Sequence, residues 1–352
     1  PRSRPSKLGL FSLPEALTLA AGSAPPPACR LLSRRSYSQR APTPARKATK
    51  LRMNEFEPLT LRANGLEFSA LAQGSGPVVI CLHGFPDTSR SFRHQLPALA
   101  NAGYRAIAPA LRGYDPSSQP ADGDYTMVRM AEDLVGWIDG LGNEPIHLVG
   151  HDWGAIIAYA AGALAPDRFH SIATLAVPHP DRMQREGLRK VPSQLRNSWY
   201  MFFFQLRGIA DMAVEARDWA LIEKLWRDWS PGWELPADEM THLKRTLAQP
   251  GVKRAALGYY RAMVGRATAG SKKTLELFRS PIPVPTLALT GTQDGCVDTR
   301  LHDIAMKDDD FPGGLEVVRV DGAGHFLHQE KPDEVNRILI DWLGRTAPTR
   351  NS

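Results

Sequence analysis

The sequence predicts an α/β architecture: a mostly parallel β-sheet flanked by helices, with a helical cap inserted between two of its strands. Three observations carry this expectation. From residue 56 onward, short apolar runs alternate with stretches of helical periodicity, the pattern of a parallel sheet covered on both faces. Over residues 181–274 the alternation stops, and the chain reads as helical and rich in aromatic residues. Strand character then resumes at 285–290 and again at 315–320.

The elements follow in order. Residues 59–68 read as a hairpin turning at Asn64-Gly65, a dipeptide that accepts positive φ at both turn positions. Residues 77–82 and 104–108 are short buried strands. A helix over 128–140 places Met130, Leu134, Trp137 and Ile138 on one face. The apolar run Ile146, Leu148 and Val149 is a further strand, followed by a glycine-bounded turn and the small-residue helix around 155–161. Residues 171–177 form the last strand before the cap, and a helix over 332–342 closes the domain. The expected division is a basic extension over 1–52, a first core part over 53–180, the cap over 181–275 and a second core part over 276–352.

Composition narrows the function classes. The chain has 352 residues, 43% apolar and 23% charged, which suits a globular enzyme of one large domain or two. Cys29, Cys81 and Cys296 are too few and too scattered for a disulfide framework or a metal cluster, and no metal or organic cofactor is expected. No apolar run is long enough to span a bilayer. Residues 1–52 carry eleven basic residues against the single acid Glu15, leaving 32 basic and 36 acidic residues, a net −4, for the remainder. The overall excess of +6 therefore belongs to the extension, and nothing in the body suggests a nucleic-acid surface.

The extension is too polar and too proline-rich to build a core. It admits three readings: an organelle transit peptide with processing near Arg34-Arg35-Ser36-Tyr37-Ser38, a secretory segment interrupted by Pro14 and Glu15, or a stretch ahead of a natural start at Met53. The expected location is cytoplasmic, or mitochondrial if the extension acts as a transit peptide.

The pentapeptide Gly150-His151-Asp152-Trp153-Gly154 narrows the chemistry most. Between a buried strand and a helix, this frame builds a sharp turn that projects its middle side chain above the sheet. An aspartate there is already ionised at neutral pH and attacks carbon without a base. The competing reading makes Asp152 only the N-cap of the following helix. Asp294 in Gly291-Thr292-Gln293-Asp294 and His325 in Gly322-Ala323-Gly324-His325 each fall just past a strand. Reactive groups of open α/β sheets gather at such strand ends, so Asp152, Asp294 and His325 are expected to converge as nucleophile, acid and base. The loop His83-Gly84-Phe85-Pro86 also follows a strand. The backbone amides of Phe85 and Trp153 are expected to form an oxyanion hole.

With these motifs, and with Leu111-Arg112-Gly113-Tyr114 and Gln329-Glu330-Lys331-Pro332, the chain from about Phe56 to Gly344 resembles the epoxide hydrolases of the α/β-hydrolase superfamily. The resemblance implies attack of Asp152 on an epoxide, an ester intermediate, and its hydrolysis by water activated at His325. It implies two cap tyrosines that hold the epoxide oxygen: Tyr200 and Tyr260 match their contexts, with Tyr259 as the fallback. His83, Pro86, Trp199, Phe204 and Tyr259 are the expected substrate contacts. The expected partners are a small apolar epoxide and water, and the expected state is a monomer or homodimer.

Haloalkane dehalogenases, which share the aspartate nucleophile, are the nearest alternative. Trp153 would serve as one halide donor, but Phe85 lacks a side-chain donor, leaving Trp199, Trp226 or Trp229 to supply the second. A non-catalytic ligand-binding homologue is the distant alternative. Two departures from the epoxide hydrolase pattern stand out. Ala110 replaces a usual aspartate, and Asp115-Pro116 replaces a usual glycine and its successor, which puts the shape of that loop in question.

Overall fold

The structure, a computed structural model, describes residues 56–265 and 267–347. The extension 1–52 and the readings placed on it lie outside the described residues. An eight-stranded sheet runs in the order β1-β2-β4-β3-β5-β6-β7-β8. Its strands are β1 (Glu57–Ala63), β2 (Leu66–Gln73), β3 (Val78–Leu82), β4 (Arg105–Pro109), β5 (Ile146–His151), β6 (Phe169–Leu175), β7 (Thr286–Gly291) and β8 (Leu315–Val320). The β1–β2 hairpin turns at Asn64-Gly65, both with positive φ. It is antiparallel and joins β4 antiparallel, whereas β4, β3, β5, β6, β7 and β8 pair in parallel.

The central strands are buried on both faces, so they carry near-continuous apolar runs. Ile80, Leu82, Ile107, Leu148 and Ile172 face one core, which is covered by α2 (Met127–Gly140) and α3 (Trp153–Leu164). Val79, Cys81, Ala106, Val149 and Leu175 face the other, where α1 (Gln95–Asn101) and α14 (Pro332–Thr346) pack. Between Trp153 and Leu164, α3 is mostly Ala and Gly, and these small residues let it lie close on the strands.

Between β6 and β7 the chain is helical throughout, as its composition predicts. The short helices α4 (Pro180–Arg182) and α5 (Leu188–Lys190) lead into α6 (Ser193–Asn197), α7 (Trp199–Phe203), α8 (Ile209–Trp229), α9 (Ala237–Leu247), α10 (Val252–Val264) and α11 (Ala269–Arg279). α8 is broken at Ala216–Trp219, where three residues have positive φ. α11 packs against α2 and α3, and the Val128 amide donates to Thr274 Oγ1 at 3.1 Å. The expected cap edges at 181 and 275 therefore fall inside α4 and α11, not between elements. Three short helices were missed by the sequence patterns: α1, and α12 (Arg300–Ala305) and α13 (Leu327–Glu330), which complete the fold.

The loop carrying the departures is pinned at both ends to one residue of β2. The Ala110 amide donates to the Ser69 carbonyl at 2.7 Å. Asp115 Oδ2 accepts from the Ser69 amide at 3.1 Å and from its hydroxyl at 2.5 Å. Asp115 thus anchors the loop and begins the turn Pro116–Ser118. No helix among the described residues is long and apolar enough to cross a membrane.

Candidate active site

The sheet order reverses around β3 and β5, since β4 lies on one side of β3 and β6 on the other side of β5. Loops leaving adjacent strands at such a switch point diverge and open a crevice. The loop after β3 carries His83 to Pro86, and the turn after β5 carries Asp152. Asp152 has φ 51° and ψ −115°, a strained conformation for a non-glycine residue and the one a nucleophile elbow demands. The flanking small residues permit it: a Cβ at Gly150 would collide with the carbonyl of Gly154, and one at Gly84 would strike the Asp152 carboxylate.

The carboxylate does not cap α3. Its Oδ1 accepts from the Phe85 amide at 2.7 Å, and its Oδ2 lies 3.6 Å from His325 Nε2. His325 Nδ1 is 2.9 Å from Asp294 Oδ2. Asp294 is fixed in turn, because its Oδ1 accepts from the amides of Cys296 at 2.7 Å and Val297 at 2.8 Å. The three residues predicted to converge do so. Burial works to lower the His325 pKa, but the Asp294 and Asp152 carboxylates outweigh it and push it up to about 10. The free site therefore holds an imidazolium between two carboxylates.

The Phe85 amide already faces an oxygen of Asp152, as an oxyanion donor should. The Trp153 amide belongs to the first turn of α3, where helix N–H groups lack intrahelical partners. The Phe85-Pro86 peptide is cis.

The cap supplies the opposite wall. Tyr200 and Tyr260 are buried, with ring centroids 5.6 Å apart, and burial raises both phenols well above the usual range. They stay protonated, as hydrogen-bond donors must. The Tyr260 hydroxyl and the Trp153 indole N–H face each other, close enough for the indole to pull the phenol's pKa back a little, but neither makes a well-formed hydrogen bond among the described residues. Phe204 packs edge-on against Phe85 at 5.6 Å and Tyr260 at 5.0 Å, which makes that wall apolar.

Other expected contacts lie elsewhere. Tyr259 sends its hydroxyl to the Arg112 carbonyl at 2.7 Å and so ties α10 to the core loop, a bond its neighbour Tyr260 does not make. Trp199 is 38% exposed on the outside of the cap. His83 Nε2 accepts from the Leu111 amide at 3.1 Å while Nδ1 meets the Gly84 carbonyl at 3.0 Å, so this ring braces two loops. The Pro86 carbonyl accepts from Trp226 Nε1 at 2.9 Å, a link between cap and core.

With this geometry in place, comparison with known proteins is direct. A family model described as the alpha/beta hydrolase fold matches residues 77–332. The chain belongs to the α/β-hydrolase family, in its epoxide hydrolase group. It is 34% identical over 325 residues to Epoxide hydrolase 3 of Siraitia grosvenorii, covering 83% of this chain and 100% of the relative. Epoxide hydrolase A of Mycobacterium tuberculosis is 33% identical, over 80% of this chain and 95% of its own. Among solved structures, an epoxide hydrolase from Vigna radiata aligns with a TM-score of 0.71 at 26% identity, over 84% of this chain and 100% of that one. Epoxide Hydrolase A from Mycobacterium thermoresistibile aligns at 0.67 and 29% identity, over 82% of this chain and 98% of that one.

Within this hydrolase framework, three supporting contacts went unpredicted. The Tyr200 hydroxyl is hydrogen-bonded to Cys296 Sγ at 3.3 Å, and the same residue's amide holds Asp294. The end of α8 grips the loops that carry Asp294 and His325, since the Trp229 carbonyl accepts from the amides of Gly295 and His325, each at 3.0 Å. Glu330 joins the Ser230 hydroxyl at 2.5 Å to the Gly324 amide at 2.8 Å. The sequence signal for the last contact was present in the Gln329-Glu330 pair after Gly324-His325. The other two contacts join residues 66 to 96 positions apart and leave no local trace.

Proposed function

We propose that this protein hydrolyses an epoxide to a vicinal diol through a covalent ester on Asp152. The observation that carries the reading is the pairing of a strained aspartate with two buried tyrosines across from it, one of them with no well-formed hydrogen bond on its hydroxyl. The similarity to epoxide hydrolases supports the same chemistry.

In the first half-reaction Asp152 attacks an epoxide carbon as Tyr260 and Tyr200 donate to the oxygen, and one phenol proton passes to the new alkoxide. The deprotonated tyrosine recovers its proton from the His325 imidazolium. Esterification also removes the negative charge of Asp152, one of the two carboxylates that raise the His325 pKa. His325 thus becomes a neutral base at the stage that needs one. It then takes a proton from water, and the hydroxide adds to the ester carbonyl. The amides of Phe85 and Trp153 meet the oxyanion. Collapse expels the diol oxygen, which takes the proton from His325, and the regenerated carboxyl group returns its own proton to His325. Epoxide plus water gives diol, with each group restored. Phe85 and Phe204 favour an apolar substrate.

A halide-binding reading loses two of its three cap donors, because the Trp226 indole is engaged with Pro86 and Trp199 is turned outward; it rests on Trp229, which packs against Tyr200 and His325. A single turnover with styrene oxide in ¹⁸O-water tests the mechanism: one heavy oxygen enters the Asp152 carboxylate. An unlabelled Asp152 with labelled diol would mean direct attack of water on the epoxide.

A further inference from the structure

The outer face of the cap is unlike the rest of the surface. Of the nine large apolar side chains that stand exposed among the described residues, eight lie at 195–212 or 263–264. Phe202, Leu206, Ile209 and Met212 are 60%, 51%, 57% and 69% exposed. The group is continuous across elements. Arg261 donates to the Phe204 carbonyl at 3.0 Å and pairs with Asp211 at 2.6 Å, which brings the end of α10, with Val264, beside the α7–α8 turn. Isolated exposed apolar residues are ordinary, but a cluster of this kind marks a surface that meets something.

Charge says what it meets. Arg189, Arg196 and Arg207 are exposed around this cluster. None has an ion-pair partner among the described residues, whereas neighbouring Lys190 pairs with Glu186. The one acid between residues 188 and 214 is Asp211, already neutralised by Arg261. A patch of aromatic and aliphatic side chains fringed by free arginines suits an interface of acyl chains beneath anionic headgroups. A second copy fits less well, because a two-fold contact places the same patch on both sides and would set unpaired arginines against arginines.

We propose that this face docks the protein on an anionic phospholipid surface, with the apolar side chains in the interface and the arginines at the phosphates. Docking depends on no part of the catalytic reading. Its consequence does: the same short helices carry Tyr200 and Phe204 on their inner side, so a bilayer-dissolved apolar epoxide would meet the protein at the wall of its site.

Sedimentation of the full chain with vesicles tests this, using phosphatidylcholine alone or mixed with phosphatidylserine. The full chain is expected to bind the mixed vesicles more strongly and to lose that preference in high salt. The exposed substitutions Phe202→Ser, Ile209→Ser and Met212→Ser together should cut binding by about tenfold or more. Arg196→Gln with Arg207→Gln should reduce the preference for the anionic lipid and leave the melting temperature unchanged. Binding of the triple variant equal to the parent would overturn the proposal, since residues 1–52 would then be the anchor. So would failure of the parent to bind. A dimer by light scattering that the triple variant abolishes, without vesicle binding, would assign the face to a second copy.

Discussion

The sheet side and the cap side of the active site differ in how their polar groups are engaged. Asp294 accepts two backbone amides and meets His325, and Asp152 accepts the Phe85 amide. Across from them, in the cap, the buried Tyr260 hydroxyl makes no well-formed hydrogen bond among the described residues. A buried donor left unmade costs roughly 1–3 kcal/mol, and a hydrolase gains from that cost only where a substrate oxygen later repays it. The sheet side uses its polar groups to hold geometry, whereas the cap side leaves a phenol donor over. Tyr200, bonded to Cys296, stands between the two.

If that division holds, substitutions on each side should fail at different steps. The largest effect is expected for His325→Gln, with turnover falling on the order of 10⁴-fold. Alkylation should survive, so intact-protein mass spectrometry should find one substrate adduct on the Asp152 peptide. A variant that accumulates no adduct while remaining inactive would place His325 in the first step as well. Next comes Tyr200→Phe with Tyr260→Phe, which should slow alkylation itself by on the order of 10³-fold. Pre-steady-state tryptophan fluorescence should show no burst, and a burst of normal size would remove the cap from the chemistry.

Smaller effects probe the seam between the two sides. Ser230→Ala deprives the half-buried Glu330 of its 2.5 Å hydroxyl partner and should destabilise the fold by about 1–2 kcal/mol. Chemical denaturation measures this, and an unchanged midpoint would mean that the α8 grip rests on the Trp229 carbonyl alone.

The smallest effect concerns Asp87, just past the oxyanion loop. Burial raises its pKa to about 7, although hydrogen bonds from Ser91, Thr88 and Gln329 and the charge of Arg93 pull it back. The folded protein then keeps a proton up to about 7 that the unfolded chain releases near 3.8. The folded state binds more protons in that window, so the contribution of Asp87 to stability declines as pH rises through it. Asp87→Asn should therefore gain roughly 2–3 °C of melting temperature on the parent between pH 5 and pH 8. A constant gap between the two melting curves would assign the titration elsewhere.

Much of the core was readable because its signals are local. Asn64-Gly65 sets the hairpin by turn geometry, and Gly150 to Gly154 sets the elbow because larger residues would collide there. Asp294 and His325 were legible because each follows a strand, and strand ends point to one edge of a parallel sheet. The cap resisted the same reading. Tyr259 and Tyr260 are adjacent in sequence, and a helix turns about 100° per residue, so only packing decides which hydroxyl meets the site and which meets the Arg112 carbonyl. Trp199 and Phe204 lie in one aromatic run, yet one faces outward and the other is fully buried. α11 reads as one more cap helix, yet it lies on α2 and α3.

The succession of strands along the chain, the aspartate at the elbow and the two residues that converge on it were legible in the sequence alone, through periodicity and steric rules that act over a few residues. The tertiary structure decided the rest: which tyrosine is left without a well-formed hydrogen bond, how Cys296 and Glu330 join cap to core, and which way the aromatic run points. Those outcomes depend on the rotation and docking of helices against partners distant in the chain, and no local pattern encodes that phase.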